Sequence, residues 1–257
     1  MTALLELDGV TRAYGGLRAV DGVDLRLGAG ARHGLIGPNG AGKSTLFKLI
    51  LGAEAVTTGR LHFDGVDITR MPEHQRVRLG ISQTFQHSSL FAALTSSDNV
   101  LLALQRRTGD ARRVFGRRSR ALGAEADELL ARVGLEGAGP RPAAVLSHGE
   151  QRQLELALAL AARPRLLLLD EPAAGMSPAE TERLATIIAE LDSDLAVLIV
   201  EHDLDLVFRV ARDVSVLHLG SLLMTGSAEA VRASEEVARV YLGGASVDDV
   251  FIDETVT

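Results

Sequence analysis

The sequence predicts an α/β fold in which a parallel sheet is interrupted by a helical insertion. Three observations carry this. A glycine-rich loop at residues 37–42 stands between a short strand and a helix. Two continuous apolar runs, residues 166–169 and 195–200, each precede a helix start, as strands buried on both faces do. Between the loop and these runs, residues 86–162 read as helical.

In order along the chain, residues 4–10 alternate as a strand, with turn chemistry at Val20-Asp21-Gly22 and Gly28-Ala29-Gly30. Residues 33–36 form a strand into the glycine-rich loop, and a helix follows over 43–51. Residues 61–65 resemble a hairpin arm and 80–85 a short strand. Thr95-Ser96-Ser97-Asp98 is a capping sequence before the apolar positions Val100, Leu101, Leu102 and Leu104. Leu129, Leu130, Val133 and Leu135 form a second stripe, closed by Gly134 and Gly137, and residues 154–161 are an Ala/Leu-rich helix. Ser177-Pro178-Ala179-Glu180 combines an N-cap, a proline at the first helical position and a capping glutamate, for a helix reaching about residue 191. Another helix starts near Asp203, residues 214–219 and 222–224 read as a hairpin, and a last helix covers 235–242. Residues 244–257 are an acidic tail with little pattern.

Composition narrows the function classes. The chain has 257 residues, 46% hydrophobic and 24% charged, an ordinary globular mixture rather than a disordered one. No apolar run approaches the ~18–20 residues of a membrane helix, and no basic stretch leads into an apolar core at the N-terminus. A cytoplasmic protein is expected. The absence of cysteine excludes disulfides and thiolate metal sites. A net charge of −7 disfavours a generic nucleic-acid binder. Of 27 basic residues only Lys43 and Lys48 are lysines.

Gly37-Pro38-Asn39-Gly40-Ala41-Gly42-Lys43-Ser44 matches the phosphate-loop pattern G-x-x-x-x-G-K-[ST], in the strand–loop–helix context that pattern requires. Glycines let backbone N–H groups converge on phosphate oxygens, and the helix N-terminus adds positive potential. Lys43 supplies a compact ammonium for β and γ phosphates, and Ser44 a hydroxyl for Mg²⁺. In a chain that otherwise chooses arginine, a lysine at this slot is selective. Residues 166–169 run into Asp170, Glu171 and Pro172. An acid at the carboxyl end of a strand sits where open α/β sheets bind ligands. Asp170 suits Mg²⁺, directly or through water, and Glu171 suits orienting or deprotonating an attacking water.

Further residues narrow the class. Leu146-Ser147-His148-Gly149-Glu150-Gln151 precedes the carboxylate strand. It resembles the LSGGQ signature of ATP-binding-cassette (ABC) ATPases, with His148 in place of a glycine and Glu150 in place of a glutamine. Gln86, after Thr84-Phe85, falls at that family's Q-loop, and His202 at its switch histidine. Ala174-Gly175-Met176-Ser177 falls at its D-loop, and Tyr14 where an aromatic stacks on adenine. These elements occur in the family's order over nearly the whole chain. Ser147 with Glu150 is equally a capping box, compatible with the signature role. His33, His62, His74, His87 and His218 are read as structural.

The resemblance implies a P-loop NTPase with a RecA-like parallel core, an N-terminal antiparallel β subdomain and an inserted α-helical subdomain. The expected division is 1–86 with 163–243 as the nucleotide-binding core, 87–162 as the helical subdomain and 244–257 as the tail. It implies ATP bound by Tyr14, residues 37–45 including Thr45, and the signature residues Ser147, Gly149 and Glu150. Ser44, Gln86 and Asp170 would hold Mg²⁺, and Glu171, His202, Lys43 and Gln86 would serve hydrolysis. Tyr14-Gly15-Gly16-Leu17, Thr84-Phe85-Gln86, Glu171-Pro172-Ala173-Ala174-Gly175-Met176 and Val240-Tyr241-Leu242-Gly243 are similar to the LivG-type ATPase subunits of branched-chain (hydrophobic) amino-acid importers. Urea and amide importers and the lipopolysaccharide-export ATPase share much of this, and soluble ABC ATPases of translation or repair are a further alternative. The implied partners are a second cassette, two permease subunits reached through the segment near Gln86, and indirectly an extracytoplasmic binding protein, with no nucleic acid. The place implied is the cytoplasmic face of the membrane. Arg106, Arg107, Arg112, Arg113, Arg117, Arg118 and Arg120 suggest contact with anionic lipid, but a solvated face is the preferred reading.

Overall fold

A computed structural model describes residues 3–84, 90–108 and 120–242. Gln86, most of the arginine cluster and the acidic tail lie outside these residues. Two sheets and nine α-helices make up the described fold.

The first sheet is antiparallel, in the order β2-β1-β4-β5, with β1 at Leu5–Tyr14, β2 at Leu17–Leu27, β4 at Thr58–Phe63 and β5 at Val66–Asp67. The predicted turn at Val20-Asp21-Gly22 does not exist. β2 runs straight through it as a bulge, where the pairing with β1 shifts register between Val10 and Arg12. Gly22 takes φ 62° there, and its N–H donates to Thr11 Oγ1 at 2.9 Å. The glycine's freedom is used for a bulge within a long ribbon rather than for a reversal. The chain reverses instead at Gly15, and the expected turn at Gly28-Ala29-Gly30 is present.

The second sheet has the order β10-β9-β3-β8-β7-β6. Its strands are β3 at Arg32–Ile36, β6 at Ile81–Gln83, β7 at Leu166–Asp170, β8 at Ala196–Val200, β9 at Asp213–His218 and β10 at Ser221–Ser227. Pairings from β6 to β9 are parallel, and β10 closes one edge as the antiparallel arm of the predicted hairpin.

The apolar runs are explained by the pleat. Leu167 and Leu169 of β7, with Val197 and Ile199 of β8, face a helical cluster containing Val100, Leu104, Leu130, Leu154 and Leu184. Leu166, Leu168, Leu198 and Val200 face the opposite cluster, with Leu35, Leu46, Phe47, Leu5 and Leu27. Side chains of period two served on both faces leave no position for a polar residue.

The helices are α1 at Lys43–Leu51, α2 at Glu73–Leu79, α3 at Ser96–Thr108, α4 at Arg120–Arg132, α5 at His148–Ala161, α6 at Pro178–Ala189, α7 at Leu204–Val210, α8 at Ala228–Arg232 and α9 at Glu235–Leu242. α1 and α9 have the predicted bounds, and α3, α5, α6 and α7 begin at the predicted caps. Thr95 receives the Asp98 N–H at 3.1 Å, and both Ser147 and Ser177 form complete capping boxes. α2 and α8 carry no apolar stripe long enough to announce them. Arg76 of α2 is 2% exposed and donates from Nη1 to Leu49 O and Ile50 O at 2.7 and 2.8 Å, capping the carboxyl end of α1. None of the helices is long and apolar enough to cross a membrane among the described residues.

β3 also carries a buried polar thread. His33 Nε2 lies 2.8 Å from Ser215 Oγ, which lies 2.8 Å from Thr225 Oγ1 across β9 and β10. Burial holds the His33 imidazole down to about 4 from its ordinary 6.5, against the opposing carboxylate of Asp213. The unfolded chain therefore takes up this proton first, and stability attached to neutral His33 is lost as pH falls from 6.5 toward 4. The shift corresponds to roughly 3 kcal/mol at the low-pH end. Equilibrium urea unfolding at pH 7.5 and 4.5 should show His33→Gln losing markedly less stability between the two than the wild type.

Candidate functional site

The sheet delivers the chemistry to one edge. β3, β7 and β8 are parallel neighbours, so their carboxyl ends open on the same side, each followed by a loop carrying predicted site residues.

Beyond β3, Gly37 takes φ 154° and Gly42 φ 108°. A Cβ on Gly37 would stand 2.1 Å from Leu217 O, and one on Gly42 2.2 Å from Ala19 O. The loop is thus pressed against backbone from behind, and only glycine fits. Pro38 and Gly42 are half-buried, Asn39, Gly40 and Ser44 are exposed, Ala41 is buried and Thr45 half-buried. Lys43, the first residue of α1, is 6% exposed and donates to Gly37 O at 2.6 Å and Pro38 O at 3.2 Å. Burial lowers its pKa, while Glu171 and Asp170 act the other way.

Asp170 ends β7. Its Oδ1 is buried with no hydrogen-bond partner. Burial, then the neighbouring Glu171 charge, raise its pKa from 3.8 to about 6, against the pull of Lys43. A buried, unpartnered carboxylate oxygen suits a hard cation. Among the described residues no group of three or more His, Cys, Asp or Glu is placed to hold a metal ion.

Glu171 has φ 49°, in the left-handed region although it precedes a proline. Strain of this kind costs on the order of 1–3 kcal/mol and persists where the surroundings over-determine it. Its N–H donates to Val200 O at 2.8 Å, the last rung between β7 and β8. Glu171 Oε1 lies 3.0 Å from Nε2 of His202, which follows β8. The structure thus brings Lys43, Asp170, Glu171 and His202 together.

Tyr14 is 43% exposed at the β1 tip. Its hydroxyl donates to Glu54, and the Arg12 guanidinium lies 4.5 Å from the ring centroid. Arg12 and Lys48 also pair with Glu54, at 3.3 and 3.6 Å. The ring is held by groups that sequence reading did not single out.

The signature residues form a separate group at the amino end of α5. Ser147 Oγ receives the Glu150 N–H at 3.2 Å, and the Ser147 N–H donates to Glu150 Oε2 at 2.8 Å. Arg141 grips the same carboxylate at 2.6 and 3.0 Å, holding its pKa below the ordinary range. Glu150 thus faces back into its own cap. Gly149 is covered by Glu180 of α6, whose Oε1 would meet a Cβ there at 2.4 Å, and a Cβ on Gly175 would stand 3.3 Å from the His148 ring. Ser147 contacts Glu150, Gly149 faces Glu180 of α6 and Glu150 faces Arg141, and none of these contacts runs to Lys43. Gln86 lies outside the described residues. Sequence reading also missed Glu201, a buried carboxylate between β8 and His202. Its signal was an acid directly after an apolar run.

Comparison with known proteins agrees with this arrangement. The ABC transporter family profile matches residues 20–174. The chain is 38% identical to the high-affinity branched-chain amino acid transport ATP-binding protein BraF of Pseudomonas aeruginosa, over 94% of this chain and 98% of that one. It is 36% identical to LivG of Escherichia coli, a protein of the same description, over the same shares. Among solved structures, the ADP conformation of an ATP-binding cassette of an ABC transporter superposes with a TM-score of 0.84 at 26% identity, covering 95% of this chain and all of that one. A nucleotide-free cassette matches with a TM-score of 0.83 at 26% identity over the same shares. With the phosphate loop, the strand-end carboxylates and the signature cap in the family's order on the family's fold, this chain belongs to the ABC transporter family as an ATP-binding cassette.

Proposed function

We propose that the chain is the ATP-hydrolysing subunit of an importer for branched-chain (hydrophobic) amino acids. It works at the cytoplasmic face of the membrane, with a second cassette, two permease subunits and, indirectly, an extracytoplasmic solute-binding protein. The observation that carries hydrolysis is the Glu171–His202 contact of 3.0 Å beside Lys43. The solute rests on the 38% and 36% identity to the two branched-chain relatives over nearly their whole lengths.

In this reading the adenine of ATP stacks on Tyr14. The backbone N–H groups of residues 40–45 and the Lys43 ammonium neutralise the β and γ phosphates. Ser44 and Asp170, with Gln86, would hold Mg²⁺, which when bound neutralises charge on the β and γ oxygens. Glu171 orients a water for in-line attack on the γ phosphorus and accepts its proton as the bond to the β-phosphate oxygen breaks. His202 fixes the carboxylate that does so. The partner cassette closes the site with its Ser147 and Gly149. The backbone N–H groups of that helix end suit an anion, with Ser147 already holding the cap. Closure pulls on the permease through the segment near Gln86, and hydrolysis releases it.

Three outcomes test this. Glu171→Gln should lower ATP turnover by about 100-fold or more, the scale of a lost general base, and accumulate an ATP-bound dimer in size-exclusion chromatography. A normal rate would overturn the catalytic assignment. Tagged protein drawn from detergent-solubilised native membranes should bring two permease chains and a second cassette, and its deletion should abolish uptake of labelled leucine, isoleucine and valine. Recovery only in the soluble fraction with ribosomes or nucleic acid would overturn transport, and loss of urea uptake alone would overturn the solute. Asp170→Asn should separate stability from function. The folded-state pKa of Asp170 lies above its ordinary value, so its ionisation burdens the fold fully above about pH 6 and not below about pH 4. The nucleotide-free variant should therefore be about 1–2 kcal/mol more stable at pH 8, after allowance for solvent screening, and no more stable at pH 4, while losing ATP turnover.

A further inference from the structure

Glu201 follows β8 directly and is 4% exposed, yet no ion pair engages it among the described residues. A carboxylate so placed is costly unless hydrogen bonds replace its water. Backbone amides do so here. Oε1 accepts from the Ala173 N–H at 2.7 Å, and Oε2 accepts from the His202 N–H at 2.9 Å and, more weakly, from the Asp203 N–H at 3.5 Å. Burial raises the pKa of Glu201 and these three amides oppose it.

The amides belong to two different loops. Ala173 lies two residues beyond Glu171, and His202 bears the ring that touches Glu171 Oε1. The β7–β8 ladder stops at the Asp170–Val200 pair and the single rung from Glu171 N–H to Val200 O. Past that point the two loops are tied at backbone level through Glu201. One carboxylate thereby fixes the segments from which both members of the Glu171–His202 pair hang. The Ala173 N–H that it binds lies inside the turn closed by Ala174 N–H onto the carbonyl of the left-handed Glu171.

We propose that Glu201 is a positioning residue for ATP hydrolysis, clamping the loop after Glu171 to the loop of His202 and so setting the contact between them. The proposal rests on the reading that Glu171 and His202 form the hydrolytic pair. It requires no proton transfer at Glu201, only two acceptor oxygens on one rigid group.

The test is Glu201→Gln in the assembled transporter. Glutamine has the same shape but one acceptor oxygen, and its NH₂ faces an N–H on whichever side it takes. We expect kcat to fall up to about 100-fold, the scale of a misplaced catalytic pair, with KM for ATP and affinity for a non-hydrolysable analogue within about twofold of wild type. A packing role alone would instead lower the melting temperature and weaken nucleotide binding as well. In a His202→Ala background, read in single turnover, Glu201→Gln should cost little more, because both changes remove the same contact. If Glu201→Gln does not fold, Glu201→Asp keeps the charge but is too short to reach both loops, and the same kcat loss is expected. A kcat within twofold of wild type in the folded variant, or a loss that multiplies in the His202→Ala background, would overturn the clamp. Glu171→Gln run alongside separates the two failures. If it hydrolyses normally, the catalytic pair falls and the clamp with it. If it is inactive while Glu201→Gln is not, the clamp alone falls.

Discussion

The fold depends on strands that are buried on both faces. β3, β7 and β8 lie inside the second sheet with apolar clusters above and below. A charge within such a strand would meet hydrocarbon on either side, so charged groups lie at strand ends, and His33 inside β3 is held neutral by burial. Because the strands are parallel, three carboxyl ends coincide. Lys43, Asp170, Glu171, Glu201 and His202 are gathered by that geometry, although they are scattered over 160 positions of sequence.

The same confinement sets the electrostatics. Lys43 and Asp170 are each pushed toward neutrality by burial, and each is held back by the other's charge. Neither is at ease, and Asp170 keeps an oxygen without a partner. In the proposed function a polyphosphate with its cation would supply negative charge for the ammonium and positive charge for the carboxylate. Preorganisation of this kind, maintained at a cost in stability, distinguishes a ligand site from a structural salt bridge.

The outline of the fold was legible because its signals are local. Apolar runs, serine caps with a glutamate three residues on, and a proline at the first helical position each fix a helix or strand within one turn of chain. The bulge in β2 was not legible, since Asp21-Gly22 reads alike whether the partner strand turns with it or runs past it; the difference lies in Thr11 and Val10 on another strand. α2 and α8 were missed because they are short and, apart from the side chains at their contacts, largely exposed. At the site, the residues proposed to face nucleotide stood out by motif. Those that hold them in place did not: Glu201, Glu54, Arg141 and Glu180 act through backbone amides or neighbouring side chains, and such partners are defined only once loops distant in sequence meet.

The cap that Arg76 places on α1 has a mechanical meaning. Its guanidinium grips carbonyls of Leu49, Ile50 and Met71 at once, and a Cβ on the adjoining Gly52 would stand 2.7 Å from its Nε. One side chain thereby joins the carboxyl end of the helix that starts at Lys43 to the helix that leads into β6, so a substitution at Arg76 would be felt at the base of the phosphate-loop helix as well as at its own.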